Sequence, residues 1–282
     1  MSARGTVRLG AGAGFAGDRI DPAQILAERG ELDYLIFECL GERTVATGQA
    51  RKLLDPSAGY DPLLAARMRA VLGATTEQGI TVVTNSGAAN PVAAASVVAR
   101  VAEQVCSRSV RIAAVTGDDV LDAVRRIDPV VWETGRPLSE HSEQLVAGQR
   151  LASGPMRVPA GARPRSGRRS SPVILPDPAL YLAPLMHEFG WAADDKETLG
   201  AGTAVGHLLE CAGQLTGGYF AGSDHQSRCS PWQLWDSRHS GDGAMPTRTA
   251  EFGQVDGTGG NLTRRTCAEQ SCSTRSAIPP DI

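Results

Sequence analysis

Apolar and polar positions alternate in blocks along the first ~130 residues, and the blocks change period between strand and helix. Thr6–Gly10 (TVRLG) predicts a short strand running into a glycine-rich loop, Ala11–Arg19. Asp21-Pro22 has the form of a helix cap followed by proline at the first helical position, and Gly30 ends the helix after Arg29. Leu32–Leu40 (LDYLIFECL) is a nearly continuous apolar run, as a strand buried on both faces requires. A helix is expected over Thr44–Leu54. A second, over Pro62–Gln78, places Leu63, Leu64, Met68, Val71 and Leu72 on one side. Ile80–Thr84 (ITVVT) is the third predicted strand. Asn90-Pro91 repeats the cap-plus-proline signal before an alanine-rich helix, Val92–Val105. Val110–Val115 (VRIAAV) is the fourth predicted strand, and Val120–Ile127 the helix after it. This alternation implies an α/β fold: a mostly parallel sheet with helices on both faces, in Rossmann-like layering.

The pattern then breaks. Gln144–Pro176 contains no Asp, Glu or Lys but six arginines, with many Gly, Pro and Ser. It reads as a linker; an arginine-rich nucleic-acid arm would interleave aromatics for stacking, and none is present. Helical pattern returns over Pro178–Phe189 and Thr203–Leu215, with breaks at Gly190-Trp191 and Gly217-Gly218. Ser223–Gly253 has no period. Val255–Gln270 carries a further glycine-rich stretch, VDGTGGN. The organisation expected is a glycine-loop ligand-binding region over 1–145, a linker-like segment over 146–176 and a second, partly disrupted α/β region over 177–282.

Composition narrows the class. The 282 residues are 41% hydrophobic and 21% charged with a net charge of -3, which gives no reason to expect nucleic acid or an anionic membrane as partner. No apolar run reaches ~18 residues and the N-terminus has no apolar segment of signal-peptide form, so a cytoplasmic protein is expected. The six cysteines form no CxxC pair, so neither a disulfide framework nor a zinc site is expected. Lys occurs only at Lys52 and Lys196, which leaves 26 of 28 basic residues as Arg, the mark of a GC-rich coding sequence.

Three loops carry the candidate chemistry. Gly12-Ala13-Gly14-Phe15-Ala16-Gly17, followed by Asp18-Arg19, is a GxGxxG after a strand. Its backbone amides could cradle the anionic part of a dinucleotide or another ligand, or the loop could be a plain turn. Glu38 lies 21 residues past Gly17, where a dinucleotide fold places an acidic residue, although the cap at Asp21 delays the helix beyond the glycines. Thr84–Pro91 places Asn85 and Asn90 after the third strand. Asn90 is either a helix cap or a ligand group, and Asn85 has no capping duty. Gly117-Asp118-Asp119 follows the fourth strand; one Asp caps the helix and the other, Asp118, could meet a cation or hydroxyl. Carboxyl ends of parallel strands are where open α/β sheets bind ligands. Glu38, Asn85 and Asp118 are therefore the expected catalytic residues. Gly12, Gly14, Gly17, Asp18, Arg19 and Asn90 are the expected ligand-binding ones. His187-Glu188 and His207–Glu210 would make a metal site only if their helices converged, and there is no HExxH. No metal is expected, no cofactor is specified, and the absence of a GxSxG elbow leaves a serine triad unsupported.

The residues GAGAGFAGDRIDPAQILAERGELDYLIFECLGERT, YDPLLAARM, TNSGAANP and VTGDDVL resemble the acyclic terpene utilisation protein A (AtuA) family. So do DPALYLAPLMHEFGWAADD, GAGTAVGHLLECAGQLTGGYFA and VDGTGGNLTRRTCAEQ. The resemblance covers 4–135, 177–221 and 255–270. It implies bacterial catabolism of acyclic terpenes, with a branched acyl or acyl-CoA intermediate as ligand. It also implies a homo-oligomer, with or without a small associated subunit. A nicotinamide-dependent oxidoreductase and a non-catalytic subunit of a larger complex are the competing readings. Segments 146–176, 222–254 and 271–282 depart from the family pattern, whose members are longer. They read as out-of-frame translation of a GC-rich gene; an intact reading frame on resequencing would overturn that.

Overall fold

The computed structural model describes residues 5–117, 121–141, 177–217, 231–236, 249–256 and 262–272. Its first half is β1 (Thr6–Ala13), α1 (Asp21–Arg29), β2 (Tyr34–Phe37), α2 (Glu42–Leu54), α3 (Leu64–Gln78), β3 (Thr81–Thr84) and α4 (Pro91–Val105). A short helix α5 (Leu121–Ile127) and a small hairpin, β4 (Val130–Val131) with β5 (Arg136–Pro137), follow. The later elements are α6 (Ala179–Phe189), α7 (Lys196–Glu210), a 3-10 turn (Ala212–Thr216), β6 (Pro231–Asp236), β7 (Thr249–Gln254) and α8 (Arg264–Cys272).

The main sheet runs β3-β2-β1-β6-β7. Strands β1, β2 and β3 are parallel, with Leu9 opposite Tyr34 and Ile36 opposite Val83. β6 joins β1 antiparallel, and β7 joins β6 in the same sense. The fold is the expected α/β class, three parallel strands flanked by helices, extended here by two antiparallel strands.

The two-residue period of a strand explains both layers. On one face Leu35 and Phe37 of β2, with Ala13 of β1, pack against Leu26 of α1, Met68 and Val71 of α3, and Val97 and Val101 of α4. On the other, Val7, Leu9 and Ala11 of β1, with Ile36 of β2, pack against Tyr181 and Leu185 of α6 and Leu209 of α7. Each fully buried aliphatic side chain of this kind contributes about 1.5–3 kcal/mol. No helix among the described residues is long and apolar enough to cross a membrane.

Several expectations change. β1 runs on to Ala13, so Gly12 lies inside the strand and not in the loop. Asp21 does not cap α1; Ile20 holds that position, and the Asp21 carboxylate instead pairs with Arg19. Asn90 caps α4 as expected, its Oδ1 accepting from Ala93 N at 3.3 Å. No strand forms over 110–115. A strand in a parallel sheet needs cover on both faces, and residues 111–117 are exposed. α7 starts at Lys196, earlier than the pattern suggested, because Asp195 caps it by accepting from Thr198 N at 3.1 Å. The 222–254 region, expected to be patternless, contains β6 and β7. Residues 142–176, and with them the whole linker-like segment, lie outside the described residues, and so does Asp118.

Candidate functional site

The three parallel strands end together, and their following loops meet at one edge. Glu38 stands one residue past β2. Its backbone N–H donates to Ala13 O at 3.0 Å, which continues the β1–β2 ladder and fixes the start of the loop. Alternation sends its side chain to the face of Tyr34 and Ile36, under α6 and α7. The residue is 6% exposed. Its Oε1 accepts from Asn85 Nδ2 and from Leu40 N, both at 2.8 Å. Burial and the nearby charge of Asp177 push the Glu38 carboxyl up to about 7, against the lowering effect of those two hydrogen bonds.

Asn85 ties the ends of β2 and β3 together. Its Oδ1 accepts from Cys39 N at 2.7 Å while its amide donates to Glu38. This is a structural duty that the sequence pattern did not show. Asn90 is likewise doubly occupied: it caps α4 and donates from Nδ2 to Pro56 O and Ala58 O, both at 2.8 Å. That holds the 55–60 turn against the helix start.

The glycine loop is folded from inside. Asp18, 9% exposed, accepts from Gly14 N at 2.9 Å and from Arg19 N at 2.8 Å. The loop's own carboxylate thus takes two of the amides that an anion cradle would offer. Below it, Arg67 is fully buried and pairs with Asp61. Its Nη2 donates to Ala16 O at 2.8 Å and Asp18 O at 3.2 Å. Asp61 N in turn donates to Ser86 O at 2.9 Å. One buried ion pair therefore sets the glycine loop against the loop after β3. Arg19 faces outward, half-exposed, in its pair with Asp21.

Glycine is required at two positions by close approach. A Cβ on Gly12 would lie 2.9 Å from the Phe37 ring, and one on Gly14 would lie 2.7 Å from both Cα and O of Cys211. The second contact brings the end of α7 onto the end of β1.

That contact introduces groups the sequence did not assign to the site. Glu210 ends α7, and its Oε1 lies 2.7 Å from His207 Nδ1. Burial, then the charges of Asp177 and Glu38, push the Glu210 carboxyl up to about 8. Burial also raises the Cys211 thiol and holds the Tyr181 phenol well above its ordinary range, with Glu38 and Glu210 adding to the effect on Tyr181. The Cys39 thiol is pushed up to about 12, chiefly by burial. Among the expected residues, Glu38 and Asn85 touch, Asp18 and Arg19 fold the loop beside them, and Asp118 is outside the described residues. His207 and Glu210, weighed above for metal, pair with each other, and Glu188 accepts from Tyr34 Oη at 2.5 Å. Asp177, Tyr181 and Cys211 had no local motif; the helix-end pair His207–Glu210 beside the Cys211 break was the one available signal.

The fold and this edge define an open α/β protein with perturbed carboxyls at the carboxyl ends of its parallel strands. The family described as acyclic terpene utilisation family protein AtuA matches residues 7–151 and 175–272, and the chain belongs to it. The match is interrupted inside the linker-like segment and runs without a break through 222–254. Neither a curated protein nor a solved structure matches the chain.

Proposed function

We propose that this chain is a catabolic enzyme, or enzyme subunit, of acyclic terpene breakdown that acts on a branched acyl or acyl-CoA intermediate by proton transfer. The observation that carries the reading is Glu38: a buried carboxyl, brought close to neutrality, at the end of a central parallel strand. A general acid/base works best when it titrates near the working pH. A thioester carbonyl acidifies the neighbouring C–H bonds, so a single tuned carboxyl there has a reaction to perform. Asn85 orients Glu38 through its 2.8 Å bond. The end of β1 at Gly12 and the loop with Gly14, Gly17, Asp18 and Arg19 receive the anionic end of the ligand, Arg19 exchanging Asp21 for it. Asn90 steadies the neighbouring turn, and Asp118 supplies a further polar group. The working form is a homo-oligomer, with or without a small associated subunit.

Geometry favours this over a nicotinamide enzyme. α1 begins at Asp21, so the glycine motif ends before the helix starts, whereas a dinucleotide fold opens its helix within the motif. The test is a thermal-shift screen with CoA, branched acyl-CoAs and NAD(H). A ligand that binds the native state raises the melting temperature, by about 2.7 kcal/mol of stabilisation at a hundred times Kd. A shift with acyl-CoA alone is expected. Arg19→Ala should weaken that shift and leave the ligand-free melt unchanged, since its exposed ion pair contributes little. A shift with NAD(H) alone, or an unaltered acyl-CoA affinity in Arg19→Ala, would refute the respective part.

A further inference from the structure

Glu38 is accompanied by a second, partly buried carboxyl, Glu210, reached through a different part of the chain. Glu38 is bonded through its backbone to Ala13, and the next residue, Gly14, lies against the backbone of Cys211. The ends of β2 and α7 are thereby held at adjacent residues, the last of β1 and the one after it, and Glu38 and Glu210 share one side of the sheet. Tyr181, fully buried on α6, donates from Oη to Leu209 O at 3.2 Å and completes the wall.

The two carboxyls are held in complementary ways. Glu38 takes both of its hydrogen bonds on Oε1, and no described residue donates to Oε2. Glu210 takes His207 on Oε1, and its buried Oε2 has no hydrogen-bond partner; the buried His207 Nε2 has none either. Each carboxyl therefore keeps one oxygen uncommitted. The charge of Asp177 acts on both carboxyls and that of Glu38 acts on Glu210, with Tyr181, Cys39 and Cys211 as weak acids alongside. A negative charge on one disfavours ionisation of the other, and burial holds both carboxyls above their ordinary range.

We propose that Glu210, held by His207, is a second acid/base group of the Glu38 site, one carboxyl accepting a substrate proton while the other donates one. For its substrate this rests on the acyl reading above. With a branched α,β-unsaturated thioester, the carboxylate member removes a proton from the γ-carbon. That C–H pair becomes the β,γ double bond, and the α,β pair moves onto the α-carbon, with the thioester oxygen carrying the charge in passing. The carboxylic acid member then delivers its proton to the α-carbon. One proton is taken and one given, so the double bond moves and no oxidant or reductant is consumed.

Infrared difference titration of the ligand-free full-length chain follows both carboxyls directly. In Glu210→Gln, the Glu38 carboxyl should titrate roughly half to one pH unit lower than in the native chain. In Glu38→Gln, Glu210 should move down by a similar amount, since coupling is reciprocal. Incubation with methylcrotonyl-CoA in heavy water should place deuterium on the γ-carbons. Glu210→Gln should slow that exchange at least about 100-fold while the probe still shifts the melting temperature. Unchanged titration of the partner in both variants, with exchange intact and the probe bound, overturns the couple. A coupled titration with no binding of any acyl-CoA upholds the couple and overturns the acyl reading.

Discussion

The two faces of the sheet bury charge in opposite ways. Under α1 and α3, Arg67 and Asp61 are both buried and neutralise one another, and Arg67 Nη2 reaches loop carbonyls. Under α6 and α7, Glu38 is buried and Glu210 partly so, and the like charge of Asp177 acts on both. A matched buried pair costs desolvation but leaves the fold fixed; an unmatched one lifts the proton affinity of its members. The first arrangement positions two loops; the second is the one that the proposed proton transfer would use.

The comparison breaks most visibly at Arg67. Arg67→Met leaves Asp61 buried without a counter-charge and should lower the unfolding free energy by about 3–5 kcal/mol in urea titration. Adding Asp61→Leu should return part of that loss, and a double variant no better than the single would remove the pair as its cause. The other face responds to pH. The Glu38 carboxyl is raised from 4.5 to about 7 in the folded chain, so its folded form binds a proton that the unfolded chain releases. The stability it contributes is complete below pH 4.5 and is lost as pH rises through 7, by on the order of 3 kcal/mol. Glu38→Gln should flatten the fall in melting temperature between pH 5 and 8; a native profile already flat would show that burial does not hold the proton. The smallest effect is at the seam. Gly14→Ala drives a methyl into the Cys211 backbone and should cost about 1–3 kcal/mol in the same urea titration, with no loss if α7 simply withdraws.

The parts legible in the sequence were those with local causes. β2 was visible because both faces of LDYLIFECL are covered, and α4 because Asn90-Pro91 caps it. Glu38 and Asn85 were singled out because strand ends in such sheets often bind ligands, and the structure brings the two into contact. Val110–Val115 misled because an apolar run shows affinity for cover and not that cover exists; residues 111–117 are exposed. Glu210, Asp177 and Tyr181 escaped because their nearness to Glu38 arises from the Gly14–Cys211 approach, across nearly 200 residues of chain. Glycines read as ligand cradle turned out also to be where two segments touch. No periodicity records such a contact.

The pairing of β1 with β6 has a consequence for biosynthesis. Thr6 lies opposite Asp236, so β1 meets its second neighbour only after some 230 further residues have been made. At 5–20 residues per second that is roughly ten to fifty seconds. Throughout it, one hydrogen-bonding edge of a nascent, apolar strand stands open to other chains. The central strand of the finished sheet is the edge strand of the growing one, and how much active protein a cell obtains depends on shielding that edge until the C-terminal strands arrive.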